Sequence, residues 1–221
     1  MDRNTKKQRV AEAVLDYIDN GESLGIGSGS TVNILIENLS KVKNKIRNVV
    51  SSSVKSTELL EANGFEVSEL RDVGRLTKYI DGADEVNKNL QMIKGGGGAL
   101  TREKILAHNS NQFICIVDDS KKVDMLGQFP LPIEVIPLSR SSVSLELIKH
   151  GGRPVLRENF ISDNGNLILD IHNLQIMEPI KLEQTINNIP GVVTNGIFAL
   201  DHANVLLCAS DSGVDKTDLN A

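Results

Sequence analysis

The segment IDGADEVNKNLQMIKGGGGALTREK, residues 80–104, gathers side chains that can do acid–base chemistry. Its candidates are two aspartates, a lysine before four consecutive glycines and a glutamate after them: Asp81, Asp84, Lys94 and Glu103. Carboxylates accept and return protons, and a lysine ammonium stabilises an oxyanion. Because glycine loses more backbone freedom on folding than any other residue, the run indicates a place where a ligand lies against bare main chain.

Glu103 is notable for its predicted surroundings in the helix ALTREKILAHN. Apolar residues recur around it at three- and four-residue spacing: Ala99, Leu100, Leu106 and Ala107. A glutamate on a buried face is costly unless it is paired or used, and Lys94 can keep it ionised or bind an oxyanion. The alternative is a flexible loop followed by a helix salt bridge. Ile105 lies off the apolar stripe, so the sequence leaves the buried face ambiguous.

The acidic segment DGADE follows a predicted strand, TKYI. Ligands bind beyond the carboxyl ends of strands in an open parallel sheet, and Asp81 and Asp84 are offered there. One alternative is an acidic turn in which Asp81 caps the following residues, and another is a metal site. The four histidines have none of the usual ligand spacings, so we predict no metal.

The glycine-rich segment GIGSGST, residues 25–31, lies between a predicted strand and a predicted helix with Ser30 or Thr31 as N-cap. Free amides at a helix start favour an anion such as phosphate, although a tight turn would also need glycine. The segment is not a Walker phosphate-binding loop, because no Gly-Lys-Ser/Thr ends it. It is also a poor dinucleotide fingerprint, because Val32 stands where the third glycine should be and no ribose-binding acid follows. A small phosphorylated ligand therefore fits better than NAD.

Composition excludes several other partners. The net charge of −5 and the 3% aromatic content argue against nucleic-acid binding. The polar N-terminal residues and the absence of a long apolar segment favour a cytoplasmic protein without membrane contact. Cys115 and Cys208 lie in apolar runs, which predicts two buried, reduced thiols.

Strand and helix signals alternate through the first part of the chain and predict a parallel sheet covered on both faces. The predicted strands include residues 23–26, NVV, FEVSEL, TKYI and QFICIVDD. From Pro130 the order becomes strand, helix, strand, strand, helix, strand, which is the βαββαβ order of a ferredoxin-like unit. The last predicted strand of this unit is VVTNGIFAL, and NVLLCAS is predicted to return to the first sheet.

Together these motifs resemble ribose-5-phosphate isomerase type A across nearly the whole chain. The resemblance is carried, in order, by GIGSGST, SSSVKST, DGADE, KGGGGALTREK, DDSKKVDMLG, FPLPIEVIP, DNGN and IPGVV. Two mild departures are Ser28, where threonine is common, and Gly98, where alanine is common.

The resemblance implies the interconversion of D-ribose 5-phosphate and D-ribulose 5-phosphate through an enediolate, without metal or other cofactor. Glu103 matches the general base, Lys94 the group that steadies negative charge, and Asp81 the acid assigned to ring opening. Asp84 matches a catalytic residue that contacts a substrate hydroxyl and assists the proton transfer. The positions matching substrate-binding residues are Ser28, Gly29, Ser30, Thr31, Asp81, Gly82, Ala83, Asp84, Lys94, Gly95, Gly96, Gly97 and Lys121.

The implied fold is α/β, with a Rossmann-like catalytic domain at 1–129 plus 202–221 and an inserted, smaller ferredoxin-like α+β domain at 130–201. The family's members are homodimers or homotetramers. The alternatives are a CoA transferase or sugar-phosphate deaminase of related fold, or a non-catalytic sugar-phosphate sensor, which would bind the sugar phosphate without turning it over.

Overall fold

Helices and strands alternate along residues 1–219, the part of the chain that the computed structural model describes. The helices are α1 (Arg3–Ala13), α2 (Ser30–Asn38), α3 (Val54–Ala62), α4 (Leu70–Val73), α5 (Leu100–His108), α6 (Arg140–Lys149) and α7 (Pro179–Asn187). The strands are β1 (Glu22–Ile26), β2 (Ile46–Ser51), β3 (Leu76–Asp81), β4 (Glu85–Val86), β5 (Met92–Ile93), β6 (Ser110–Asp118), β7 (Leu131–Val135), β8 (Arg153–Leu156), β9 (Leu167–His172), β10 (Val192–Asn195), β11 (Ile197–Phe198), β12 (Val205–Ala209) and β13 (Val214–Asp218). None of these helices is both long enough and apolar enough to cross a membrane.

The first compact unit contains Met1–Ala83, Arg102–Lys121 and the described residues from Ala203 onward. Its six-stranded sheet has the order β13-β12-β6-β3-β1-β2. All neighbouring strands run parallel except β13, which is antiparallel to β12 at the edge. The predicted Rossmann-like sheet and the return of NVLLCAS to it are confirmed.

The strands of this sheet are rich in buried apolar residues, as expected for a parallel sheet covered by helices. Leu24, Ile80 and Ile116 of three neighbouring strands lie in one core cluster with apolar side chains of α1 and α2. Cys115 and Cys208 are buried thiols, as predicted. Ile26 of β1 pairs with Ile80 of β3, so the carboxyl ends of both strands lie side by side.

The second compact unit contains Asp84–Thr101 and Lys122–His202. Its four-stranded sheet has the order β10-β7-β9-β8 with all neighbours antiparallel, and α6 and α7 contribute Val143, Leu147 and Ile186 to its core. These strands and helices follow one another in the βαββαβ order predicted from the sequence. A separate three-stranded sheet has the order β11-β5-β4.

The two units divide the chain differently from the domains expected at 1–129 plus 202–221 and at 130–201, because 84–101 and 122–129 belong to the second unit. Long-range pairing explains this division. β5 pairs with β11, which follows the βαββαβ segment. The buried Glu85 accepts hydrogen bonds from the backbone amides of Gly127, at 2.8 Å, and Phe129.

Three local predictions were wrong. FEVSEL is not a strand, because only Val67 forms an isolated bridge, to Val49, before α4 begins. VVTNGIFAL is two strands in different sheets, separated at Gly196, where a Cβ would lie 2.3 Å from the Lys94 carbonyl oxygen. The N-cap of α2 is Gly29, whose φ of 98° is a conformation that L side chains rarely adopt.

Candidate active site

Asp81 ends β3 with its carboxyl group fully buried and held by three donors in the first unit. Its Oδ1 accepts the backbone N–H groups of Ser28 at 3.1 Å and Gly82 at 2.7 Å. Its Oδ2 accepts the hydroxyl of Tyr79. A buried carboxyl group needs such partners, and these three fix its rotation.

Gly27 is required by the position of Asp81. A Cβ built on Gly27 would lie 1.9 Å from Asp81 Cγ, so no larger residue fits without displacing one of the two strands' ends. The Gly27 amide bonds the Ile80 carbonyl at 2.9 Å, and its own carbonyl accepts the Ser56 hydroxyl at 2.7 Å. Gly27 of GIGSGST therefore allows close approach to an aspartate.

Glu103 lies in the first turn of α5 and is 3% exposed. Leu100, Leu106 and Ala107 on its face are buried, whereas Ile105 is exposed. The predicted apolar stripe around Glu103 is therefore present, and Ile105 lies on the open side of the helix. The Glu103 carboxylate accepts the Ser28 hydroxyl at 2.7 Å between Oγ and Oε1. Ser28 thus bonds two carboxyl groups, Asp81 through its N–H and Glu103 through its O–H.

Tyr79 is a residue of this site that the sequence reasoning missed. Its side chain is fully buried, with its ring centroid 4.7 Å from that of Phe113. Burial, followed by the negative charges of Asp81 and Glu103, raises the pKa of Tyr79 well above the usual 10.0. The phenol therefore stays protonated and donates to Asp81. Alternation along a strand puts residues two apart on one face, so Tyr79 and Asp81 could have been paired from spacing.

The segment Ser28–Thr31 presents the start of α2 together with an exposed Gly29 and Ser30. Lys7 of α1, a second residue that was missed, donates to the Ser30 hydroxyl at 2.8 Å. Lys121 is half-buried at the end of the 3₁₀ turn Asp119–Lys121, directly after β6. Lysines and helix-start amides are groups that bind phosphate.

Gly82 and Ala83 follow β3 within the first unit, and the remaining predicted residues lie in the second unit. Asp84 Oδ2 accepts the Gly96 amide at 2.8 Å, and a Cβ at Gly96 would meet Asp84 Oδ1 at 2.8 Å. Lys94 is 3% exposed, its amide bonds the Gly196 carbonyl at 2.9 Å, and its ammonium lies 5.5 Å from the Phe198 ring centroid. Close approach of a glycine therefore helps to position both residues: Gly96 lies against Asp84, and Gly196 lies against Lys94.

The glycine run forms a tight turn in which the Gly98 amide bonds the Gly95 carbonyl at 2.8 Å. Gly95 and Gly98 have φ values of 99° and 83°. Arg157 donates to the Gly96 carbonyl at 3.1 Å and forms a two-contact ion pair with Asp170. The turn is therefore held from one side by side chains of the same unit.

The geometry supports acid–base chemistry. In the first unit the structure brings together Asp81, Ser28 and Glu103, with Tyr79 behind Asp81. In the second it brings Asp84 to the glycine turn that Lys94 precedes. Within residues 1–219 no three His, Cys, Asp or Glu side chains are grouped to ligate a metal ion.

Comparisons of the sequence and of the structure with known proteins give the same family. The family model described as ribose 5-phosphate isomerase A (phosphoriboisomerase A) matches residues 48–213. Ribose-5-phosphate isomerase A of Buchnera aphidicola subsp. Acyrthosiphon pisum (strain Tuc7) is 52% identical, covering 97% of this chain and 96% of that protein.

Two solved structures are also similar. Ribose 5-phosphate isomerase A from Neisseria gonorrhoeae is 46% identical with a TM-score of 0.96, covering 98% of this chain and 97% of that one. A D-ribose-5-phosphate isomerase solved in complex with phospho-erythronic acid is 36% identical with a TM-score of 0.95, covering 99% and 100%.

Proposed function

The chain belongs to the ribose-5-phosphate isomerase A family, and from this we propose that it interconverts D-ribose 5-phosphate and D-ribulose 5-phosphate. The reaction proceeds by metal-independent proton transfer through an enediolate, in the non-oxidative branch of the pentose phosphate pathway. The observation that carries the proposal at the site is a buried glutamate, Glu103, held by a serine that also holds Asp81. CoA transfer, deamination and non-catalytic sensing are not favoured, because the family and the relatives are isomerases.

Glu103 is the general base. It removes the C2 proton of the open-chain aldose and returns it to C1, which converts the aldehyde to the ketose. A carboxylate in a largely apolar, buried setting is a stronger base than one in water, because desolvation disfavours the charged form. The Ser28 hydroxyl fixes the orientation of the Glu103 carboxylate.

Lys94 and Asp81 assist at the oxygens. The Lys94 ammonium stabilises the enediolate oxyanion, since a preorganised cation in a water-poor setting stabilises developing charge. Asp81 exchanges a proton with the sugar's O1 during ring opening, and Asp84 binds a substrate hydroxyl. The backbone groups of Gly82, Ala83 and the 95–97 turn contact the sugar.

The phosphate binds at the Ser28–Thr31 segment and Lys121. Their amides and ammonium suit a dianion, whereas contact with Glu103 would place two anions together. We add Lys7 to the phosphate-binding residues, because its ammonium donates a hydrogen bond to the Ser30 hydroxyl. A structure with phospho-erythronic acid, the compound bound in one relative, tests the orientation. A phosphate lying against Glu103 would reverse it.

We also propose a cytoplasmic homodimer or homotetramer. Large apolar side chains of the second unit are exposed in the single chain, among them Leu138 at 96%, Met177 and Leu145, and surfaces of this kind are typical of subunit contacts. Two buried, reduced cysteines suit the cytoplasm. Analytical ultracentrifugation tests the assembly, and a monomer at micromolar concentration would contradict it.

One assay tests the function itself. Purified protein, exhaustively treated with EDTA, is expected to convert ribose 5-phosphate to ribulose 5-phosphate at the rate of untreated protein. Loss of turnover that one divalent ion restores would contradict the metal-independent mechanism. No conversion by any preparation would contradict the isomerase function.

A further inference from the structure

Tyr79 is a buried titratable group for which the proposed mechanism has no role. It lies on the same face of β3 as Asp81, and its hydroxyl donates to Asp81 Oδ2. The phenol is fully buried and lies near the negative charges of both Asp81 and Glu103. If this side chain served only for packing, phenylalanine would serve as well, because burying a hydroxyl costs free energy unless it forms a hydrogen bond.

The hydrogen bond from Tyr79 adds a side-chain donor to the two backbone amides that hold the Asp81 carboxyl group. Two backbone amides donate to Oδ1, and the Tyr79 hydroxyl donates to Oδ2. The Gly27 backbone, directly after β1, lies close against this carboxyl group, since a Cβ there would be 1.9 Å from Asp81 Cγ. Tyr79 therefore fixes the rotation of a carboxyl group whose position is already restricted.

We propose that Tyr79 is a positioning residue for the ring-opening stage of the reaction, acting through its hydrogen bond to Asp81. This inference rests on the proposed isomerase function. During opening, the O1–H proton of the hemiacetal passes to Asp81 while the C1–O4 bond breaks and O4 takes a proton from water. Tyr79 aims the carboxylate at O1–H and stabilises its negative charge until the proton arrives.

The two substrates separate this stage from the later proton transfer. Ribose 5-phosphate is mostly a closed ring, so its turnover at saturation includes ring opening. Ribulose 5-phosphate carries phosphate on the oxygen that would close its ring, so it binds already open. Exchange of one of its C1 protons with D₂O reports on the proton transfer alone.

Tyr79→Phe removes the hydroxyl and keeps the ring. We expect kcat with ribose 5-phosphate to fall roughly 10- to 100-fold, the usual effect of losing a hydrogen bond to a charged group, with little change in KM. C1-proton exchange of ribulose 5-phosphate should stay within about threefold of wild type. Tyr17→Phe, the same change at the chain's other tyrosine, is the control and should leave both rates unchanged.

Equal falls in conversion and exchange, or no fall in conversion, would overturn the inference. If the wild-type protein itself converts nothing, the proposed function fails instead, and a second measurement still decides the role of Tyr79. That measurement also serves if Tyr79→Phe does not fold.

The second measurement uses 3-fluorotyrosine incorporated into the Tyr17→Phe protein, which places the label at residue 79 alone. Its fluorine resonance is expected not to titrate from about pH 6 to about pH 10, and to shift when Asp81→Asn is added. A resonance that titrates like free fluorotyrosine, or that ignores Asp81→Asn, would remove the contact on which the inference depends.

Discussion

Ser28 is the residue through which the first unit's two candidate catalytic carboxyl groups are joined. Its N–H bonds Asp81 and its O–H bonds Glu103, at 3.1 Å and 2.7 Å. Any residue except proline can supply the amide, but the second bond needs a short side chain with a donor, such as a hydroxyl. Serine and threonine therefore suit the position equally in chemical terms.

Replacing Ser28 with alanine should loosen Glu103 and leave Asp81 in place. We expect kcat to fall about tenfold, because one hydrogen bond to a carboxylate is lost. Ser28→Thr is the matched control and should keep near wild-type kcat. Steady-state kinetics measure both variants, and equal losses in the two would show that the hydroxyl has no role.

Glu103→Gln keeps the size and hydrogen-bonding capacity of the side chain but removes its basicity. If general base catalysis supplies roughly 10²- to 10⁴-fold, turnover should fall by at least that factor while substrate binding changes little. Exchange of the substrate's C2 proton with D₂O should fall in parallel, since both processes begin with the same proton abstraction.

The same change at an exposed helix position, Glu58→Gln in α3, is the control and should leave turnover unchanged. The melting curve of Glu103→Gln should also stay near that of wild type. If Glu103→Gln retains near-normal exchange, another residue is the base, and Asp81 or Asp84 would be tested next.

At the scale of elements, the glycine turn depends on its neighbours as much as on its own flexibility. A Cβ at Gly98 would lie 2.2 Å from the Phe160 ring, and the Arg157 guanidinium lies 5.2 Å from the centroid of that ring. Arg157 also donates to the turn's carbonyl oxygens. The segment 157–160 thus sets where the turn lies.

Although alanine is common at the matching position of the family, the Phe160 ring occupies the space beside Gly98 in this chain. Gly98→Ala should therefore destabilise the protein by about 2–5 kcal/mol, the sum of a positive-φ penalty of about 1–2 kcal/mol and overpacking of about 1–3 kcal/mol. Gly165→Ala is a matched control, because Gly165 has a similar φ of 79° and open space around it. It should cost only about 1–2 kcal/mol.

Urea unfolding measures the Gly98 and Gly165 variants. Adding Phe160→Ala to Gly98→Ala should recover part of the loss through relief of the clash. Strictly additive effects would show that the ring does not meet the new methyl group.

For the whole molecule, buried protonated groups predict how stability depends on alkaline pH. Burial, then Asp81 and Glu103, raises the pKa of Tyr79. Burial lowers the pKa of Lys78, but hydrogen bonds to Asp19 and Glu22 outweigh it and raise the pKa overall. A raised folded-state pKa gives stability that is complete below the unfolded-state value and is lost as pH rises above it.

The Tm of the wild-type protein should accordingly be flat up to about pH 10 and fall above it, because the unfolded phenol and ammonium then release protons more readily. Tyr79→Phe, which removes one of these groups, should show a shallower fall. Differential scanning calorimetry from about pH 8 to about pH 11 tests this. Parallel curves for the two proteins would contradict the assignment.

The sequence alone determined features that depend on local pattern. Buried parallel strands read as apolar runs, so the sheet could be predicted, and the βαββαβ order followed from periodicity and turn residues. Glu103 could be selected because its neighbours at helical spacing are apolar, and the structure places it on that buried face. Asp81 could be placed at a strand end because it follows the predicted strand TKYI.

Only the tertiary structure decided which side chains meet across strands and helices. Nothing local in GIGSGST indicates that Gly27 must make room for Asp81, 54 positions later in the chain, or that Ser28 bonds Glu103 of α5. Lys7 was missed because its partner, Ser30, belongs to a distant segment, whereas the pair Tyr79–Asp81 was available from its two-residue spacing in β3. FEVSEL and VVTNGIFAL had suitable β propensity, but strand pairing depends on distant neighbours, so one formed only a bridge and the other divided between two sheets.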